Sequence, residues 1–127
     1  MKLNPKLILV LGSFFLFLAV ALGAFGAHGL EGKLTEKALA TYKTGVQYHF
    51  YHGMALILVG IIQQVFSNLN LEKVALSFTL GILLFSFNYY LYAVTSIKTF
   101  AMIVPIGGVF FLVGWAMLSV KTYRSMK

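Results

Sequence analysis

Three histidines carry most of the reactive chemistry in this chain. His49 and His52 are three residues apart and so share one face of a helix; His28 comes one segment earlier. Imidazole titrates near neutrality and ligates zinc, copper or iron, so such a trio could hold a metal or haem, or relay protons. Tyr48, Asn88 and Tyr90 add hydrogen-bonding groups, and these six residues form the candidate ligand or polar site. The surrounding chemistry is sparse. Cysteine is absent, which excludes disulfides and thiolate metal sites. Aspartate is absent too, and Glu31, Glu36 and Glu72 all fall outside the apolar runs. A tight metal site ordinarily has carboxylates behind its ligands, and none is at hand. No Ser/His spacing forms a dyad. The chain is therefore not expected to be an enzyme, and no metal or cofactor is assigned to it.

The elements that must position these residues are four long apolar runs, about 7–27, 46–66, 74–95 and 100–120. Each is free of Lys, Arg, Asp and Glu. Of the 127 residues, 60% are hydrophobic and 10% charged, with a mean hydropathy of +0.88; soluble domains carry roughly a quarter charged residues. About 20 apolar residues cross a bilayer as a helix, and a Lys at mid-membrane costs about 3 kcal/mol on insertion scales. The expected fold is all-α: an integral membrane four-helix bundle of antiparallel up-down spans, with residues 1–127 forming one domain. The first run follows Lys2 and Lys6, as a signal peptide would, but it exceeds the roughly 7–15 residues of a signal core and is expected to be a retained helix.

The connection from His28 to Gly45 is the only one longer than a turn. Thr35 is a plausible N-cap, and Ala38, Leu39, Tyr42 and Val46 then recur at helical spacing among charges. Residues of about 35–44 are accordingly expected to form a short amphipathic helix at the interface, the alternative being an extension of the second span broken near Gly45. With four spans, Lys2, Lys6, Lys73, Lys121, Arg124 and Lys127 face one side, and Lys33, Lys37, Lys43 and Lys98 the other. The positive-inside rule then puts both termini in the cytoplasm, with the protein multi-pass in the cell membrane. The net charge of +7 is read as contact with lipid headgroups, with no nucleic acid as partner.

Small residues recur along every run: Gly12, Gly23 and Gly26; Gly53 and Gly60; Gly81; Gly107, Gly108 and Gly114. In lipid, helices associate by close approach at such residues, so these are the expected packing positions, within one chain or between chains. A thin four-span bundle favours a homo-oligomer or a membrane-protein partner besides the lipid bilayer. By depth, His28, Tyr48, His49, Tyr51, His52, Asn88, Tyr89, Tyr90 and Tyr92 would fall in a polar belt in the non-cytoplasmic leaflet. Tyrosines near a span end ordinarily belong to an aromatic girdle, and an Asn within a span ordinarily hydrogen-bonds between helices. Pro105 would lie in the first turns of the fourth span, where its missing N–H is harmless.

Four segments, LGAFGAHGL (Leu22–Leu30), TGVQYHFYHGMAL (Thr44–Leu56), LFSFNYYLYAV (Leu84–Val94) and PIGGVFFLVGWAM (Pro105–Met117), make the chain resemble the domain of unknown function 423 family, the YgdD/YwdK-type small membrane proteins and transmembrane protein 256 family. The resemblance covers essentially the whole chain. In the third segment the family usually has Gly-Ser-Leu-Tyr after Phe-Ser, whereas Phe85-Ser86 is followed here by Phe87-Asn88-Tyr89-Tyr90. The resemblance implies a four-span membrane protein without an established activity.

Three functions are compatible with these residues. The first is a non-enzymatic oligomeric or partner-binding modulator of the membrane or envelope. The second is a small-solute or lipid carrier or pore using the His/Asn/Tyr belt. The third is a haem- or metal-binding membrane protein built on the three histidines. Small four-span cation–proton antiporters require a membrane-embedded acid, and this chain has none.

Overall fold

The computed structural model describes residues 3–126. Four long apolar helices account for nearly all of them, as a membrane-spanning four-helix bundle requires. α1 is Pro5–Gly29, started by Pro5 and by Asn4, whose side chain accepts the Leu7 N–H at 2.9 Å. α2 is Glu36–Val65, capped by Thr35, whose hydroxyl accepts the Ala38 N–H at 3.1 Å. The third span is composite: α3 (Glu72–Gly81), a π-helical turn (Ile82–Ser86), then α4 (Phe87–Thr95). After a turn in which Ser96 takes a left-handed φ of 61°, α5 runs Lys98–Ser125.

Two expectations are corrected here. No separate interfacial helix exists between the first two spans: residues 36–45 are the opening turns of α2, which continues through Gly45. At about 1.5 Å per residue α2 is about 45 Å long against about 30 Å of hydrocarbon, so its charged first turns extend past the apolar layer without a break. Gly45 serves a contact rather than a bend: a Cβ there would lie 2.9 Å from the Tyr90 ring and 3.2 Å from the Ser86 carbonyl oxygen. Pro105 is also not in a first turn. Because α5 begins at Lys98, Pro105 falls two turns inside it and leaves the Ala101 carbonyl without its helical donor.

Glycines set the helix contacts. Gly12 faces Leu56 and Ile57, Gly53 faces Leu16, Gly60 faces Leu9, Gly23 faces Val46 and Gly26 faces the Tyr42 ring. On the other side of the molecule, Gly81 faces Phe111, Gly114 faces Phe78 and Gly107 faces the Leu84–Phe85 backbone. Gly108 is different: only the Phe85 ring comes near, at 3.9 Å. The main core joins Ile8 and Phe15 of α1, Leu56 and Val59 of α2, Phe78 and Ile82 of the third span, and Phe111 of α5. A smaller cluster of Leu30, Tyr42, Tyr90 and Ala93 closes one end. There the Tyr42 hydroxyl donates to the Leu22 carbonyl at 2.6 Å, tying α2 to α1. At the opposite end Gln63 does similar work. Its Oε1 accepts the Leu71 N–H at 2.6 Å and its Nε2 donates to the Leu3 carbonyl at 3.4 Å.

Candidate functional site

The π-helical turn organises the polar interior. A wide turn carries one extra residue, so its hydrogen bonds run i to i+5, as Phe87 N–H to the Ile82 carbonyl does here. Such a turn leaves neighbouring carbonyls short of helical donors. Asn88 supplies one: its Nδ2 donates to the Leu84 carbonyl at 2.9 Å and lies 3.3 Å from the Leu83 carbonyl. Asn88 therefore seals its own helix, in place of the interhelical bond expected of it. The turn also fills the space opened by Gly107, where a Cβ would stand 2.7 Å from the Leu84 carbonyl carbon and 2.8 Å from the Phe85 Cα.

Two histidine layers flank this turn. His52 is buried, with its ring stacked on Phe111 at 3.5 Å between centroids and 9° between planes. Its Nδ1 lies 2.8 Å from the Tyr48 carbonyl, and Trp115 Nε1–H donates to its Nε2 at 3.0 Å. A carbonyl only accepts and an indole N–H only donates, so the partners assign a neutral imidazole with its proton on Nδ1. Both ring nitrogens are thereby occupied. Tyr48 contributes its carbonyl to this layer, while its half-exposed ring lies against Phe85, with 4.9 Å between centroids.

His49, one turn earlier, is fully buried. Its Nδ1 is 2.8 Å from the Tyr90 hydroxyl, and its ring stands edge-on to Phe15 and Phe87. Among the described residues its Nε2 has no hydrogen-bond partner, and neither has the buried Ser86 Oγ. His49 is thus left with one unused ring nitrogen and Ser86 with an unused hydroxyl in the interior of the molecule. This layer can exchange a proton or hydrogen bond along His49–Tyr90, and His49 Nε2 is the only free ring nitrogen of the two buried histidines.

His28 stands apart, exposed near the end of α1. The three histidines do not converge, and among the described residues no group of three His, Cys, Asp or Glu side chains is placed to hold a metal. Nor do His49 and His52 belong to an end belt. Phe15 packs on His49 and Leu16 on Gly53, which puts both histidines opposite the middle of α1. The early start of α2 causes this, since its opening turns occupy the end that His49 was expected to mark. Reading the sequence also missed Trp115 and Tyr42 as polar partners and Ser86 as a buried polar group. The signal for Trp115 was its position: the only tryptophan lies well inside an apolar run instead of at a span end.

Four long apolar helices enclosing a few mid-span polar side chains define a multi-pass membrane protein. The chain belongs to the DUF423 family, described as protein of unknown function, whose model matches residues 22–108. It is 44% identical over 121 residues to the UPF0382 membrane protein YwdK of Bacillus subtilis, covering 94% of this chain and 98% of that one. It is also 40% identical over 119 residues to the UPF0382 membrane protein SH2409 of Staphylococcus haemolyticus, covering 94% and 97%. No solved structure matches the chain.

Proposed function

We propose that this protein is a non-catalytic bundle of the cell membrane that acts by assembling, with copies of itself or with another membrane protein, as a modulator of the membrane or envelope. The observation that carries this reading is how unevenly the helices are covered. α2 and the third span are wrapped by their neighbours. α1 and α5 each bury a narrow stripe and turn Phe14, Phe17, Val20 and Phe25, or Met102, Val109, Leu112 and Trp115, outward. Two broad apolar faces thus remain for lipid or for a second chain.

The finer architecture belongs to the same reading. The four spans alternate in direction within a single domain, as supported by Gly12, Gly53 and Gly60 meeting their partners in reversed order along α1 and α2. Both termini face the cytoplasm, supported by the six Lys and Arg on that side against four on the other. Crosslinking in native membranes followed by mass spectrometry tests assembly. A discrete oligomer or a stoichiometric partner is expected; recovery of monomer alone would overturn the reading. Reporter fusions at Met126 and at Gly32 test the orientation, with cytoplasmic signal expected only from the first.

A further inference from the structure

At the end of the bundle where α5 finishes, Ala116, Met117, Val120, Lys121, Arg124 and Ser125 form a shallow, open groove of about 500 Å³ along one face of that helix. A second hollow of about 380 Å³ adjoins it through Lys121, with Asn70, Glu72, Lys73 and Leu76. The wall shared by the two is held in place. Lys121 Nζ donates to the Asn70 carbonyl at 3.1 Å, and Asn68 Nδ2 donates to the Ser125 carbonyl at 2.6 Å. The loop after α2 therefore fixes both the ammonium and the last turn of α5.

The groove changes character along its length. Ala116, Met117 and Val120 make its inner part apolar, and Lys121, Arg124 and Ser125 make its outer part cationic and hydrogen-bonding. From residue 116 to 124 is about 12 Å along the helix axis, enough to lead from hydrocarbon to headgroup depth. Glu72 is the only acid at this end, against Lys6, Lys73, Lys121 and Arg124. One class of molecule matches an apolar trough that ends in two cations at a membrane surface. We infer that this groove binds an anionic phospholipid, with its phosphate between Lys121 and Arg124 and an acyl chain along Ala116 and Val120. Guanidinium and ammonium groups both suit phosphate oxygens and are drawn to anionic headgroups, so a preference of about tenfold over a zwitterionic lipid is expected.

The inference is independent of whether the protein assembles. Native mass spectrometry of the full chain, titrated with phosphatidylglycerol or with phosphatidylcholine of the same acyl chains, tests it. One phosphatidylglycerol per chain, retained about tenfold better than phosphatidylcholine, is expected. Lys121→Gln with Arg124→Gln should abolish the preference, whereas Lys37→Gln with Lys98→Gln at the other end should leave it intact. Ala116→Trp fills the trough with the charges unchanged and should also release the lipid. Equal retention of the two lipids, or equal loss in the Lys37/Lys98 variant, would overturn the proposal. So would displacement by inorganic phosphate, which would make the ligand a free anion, or loss of a dimer in Ala116→Trp, which would make the occupant a second copy of this chain.

Discussion

His49 and His52 sit one turn apart on the same helix, both buried, and their hydrogen bonding is opposite. His52 has a donor for its lone pair and an acceptor for its proton, plus an aromatic ring stacked at 3.5 Å. His49 has one hydrogen-bond partner, Tyr90, and an Nε2 left unpaired among the described residues, as is the Ser86 hydroxyl on the facing span. A buried polar group without a partner costs about 1–3 kcal/mol, whereas a satisfied one contributes about 1 kcal/mol. The first layer is a fastening between α2 and α5. The second keeps unsatisfied hydrogen-bonding capacity where a purely structural contact would have removed it.

The largest effect is expected at Gly107, which supports the turn carrying Ser86. Gly107→Ala would push a methyl into the Leu84–Phe85 backbone, which has no side chain to yield. A loss of about 3 kcal/mol is expected in reversible unfolding in mixed micelles. Gly108→Ala, with open space around it, should change stability by less than about 0.5 kcal/mol. Similar losses at both glycines would remove the close approach from the account.

Next in size is the fastening. His52→Phe keeps a ring against Phe111 but strands the Trp115 N–H, with an expected loss of about 2 kcal/mol. Trp115→Phe should cost about 1–2 kcal/mol for the converse reason. The double variant should be more stable than the two losses added together predict, and a double-mutant cycle with no coupling would refute the bond. His49→Phe should cost less than His52→Phe, about 1 kcal/mol or below, because an unpaired atom leaves with the paired one. Combined with Tyr90→Phe it should be nearly neutral. A His49 loss larger than that of His52 would mean that its Nε2 is satisfied after all.

The smallest effect is expected at Asn88. Asn88→Leu removes the donor that serves the Leu84 carbonyl, at about 1 kcal/mol. Hydrogen exchange should locate the change, with faster exchange over residues 82–88 and little change in α1. Uniformly faster exchange would show that Asn88 holds more than its own turn.

The helices were legible in the residues because membrane solvent imposes a composition that no local preference overrides: four charge-free runs could only be spans. Their ends were less legible. Polar opening turns such as Glu36–Gly45 carry no hydrophobic signal that separates a lying helix from a protruding one, so His49 and His52 were expected at a span end and instead lie opposite the middle of α1. The site was harder still. A π turn has no residue signature, since Ile82–Ser86 reads as ordinary apolar helix and only the approach of Gly107 explains it. The Trp115–His52 bond joins residues 63 apart, and spacing along one helix is blind to such a pair. The histidines stood out by residue type, but their partners depended on packing between helices.

The π turn also makes the third span a problem of counting. One residue turns an α-helix by about 100°. The wide turn absorbs one extra residue, so the helix beyond it keeps the facing it would have in a regular helix one residue shorter. Tightening Ile82–Ser86 into regular helix with no residue removed would rotate everything beyond it by about that amount, and Asn88 and Tyr90 would swing off the face that meets His49 although neither had been changed. The pairing of His49 with Tyr90 is thus written in the width of the turn between Gly81 and Phe87 as much as in the identity of either residue.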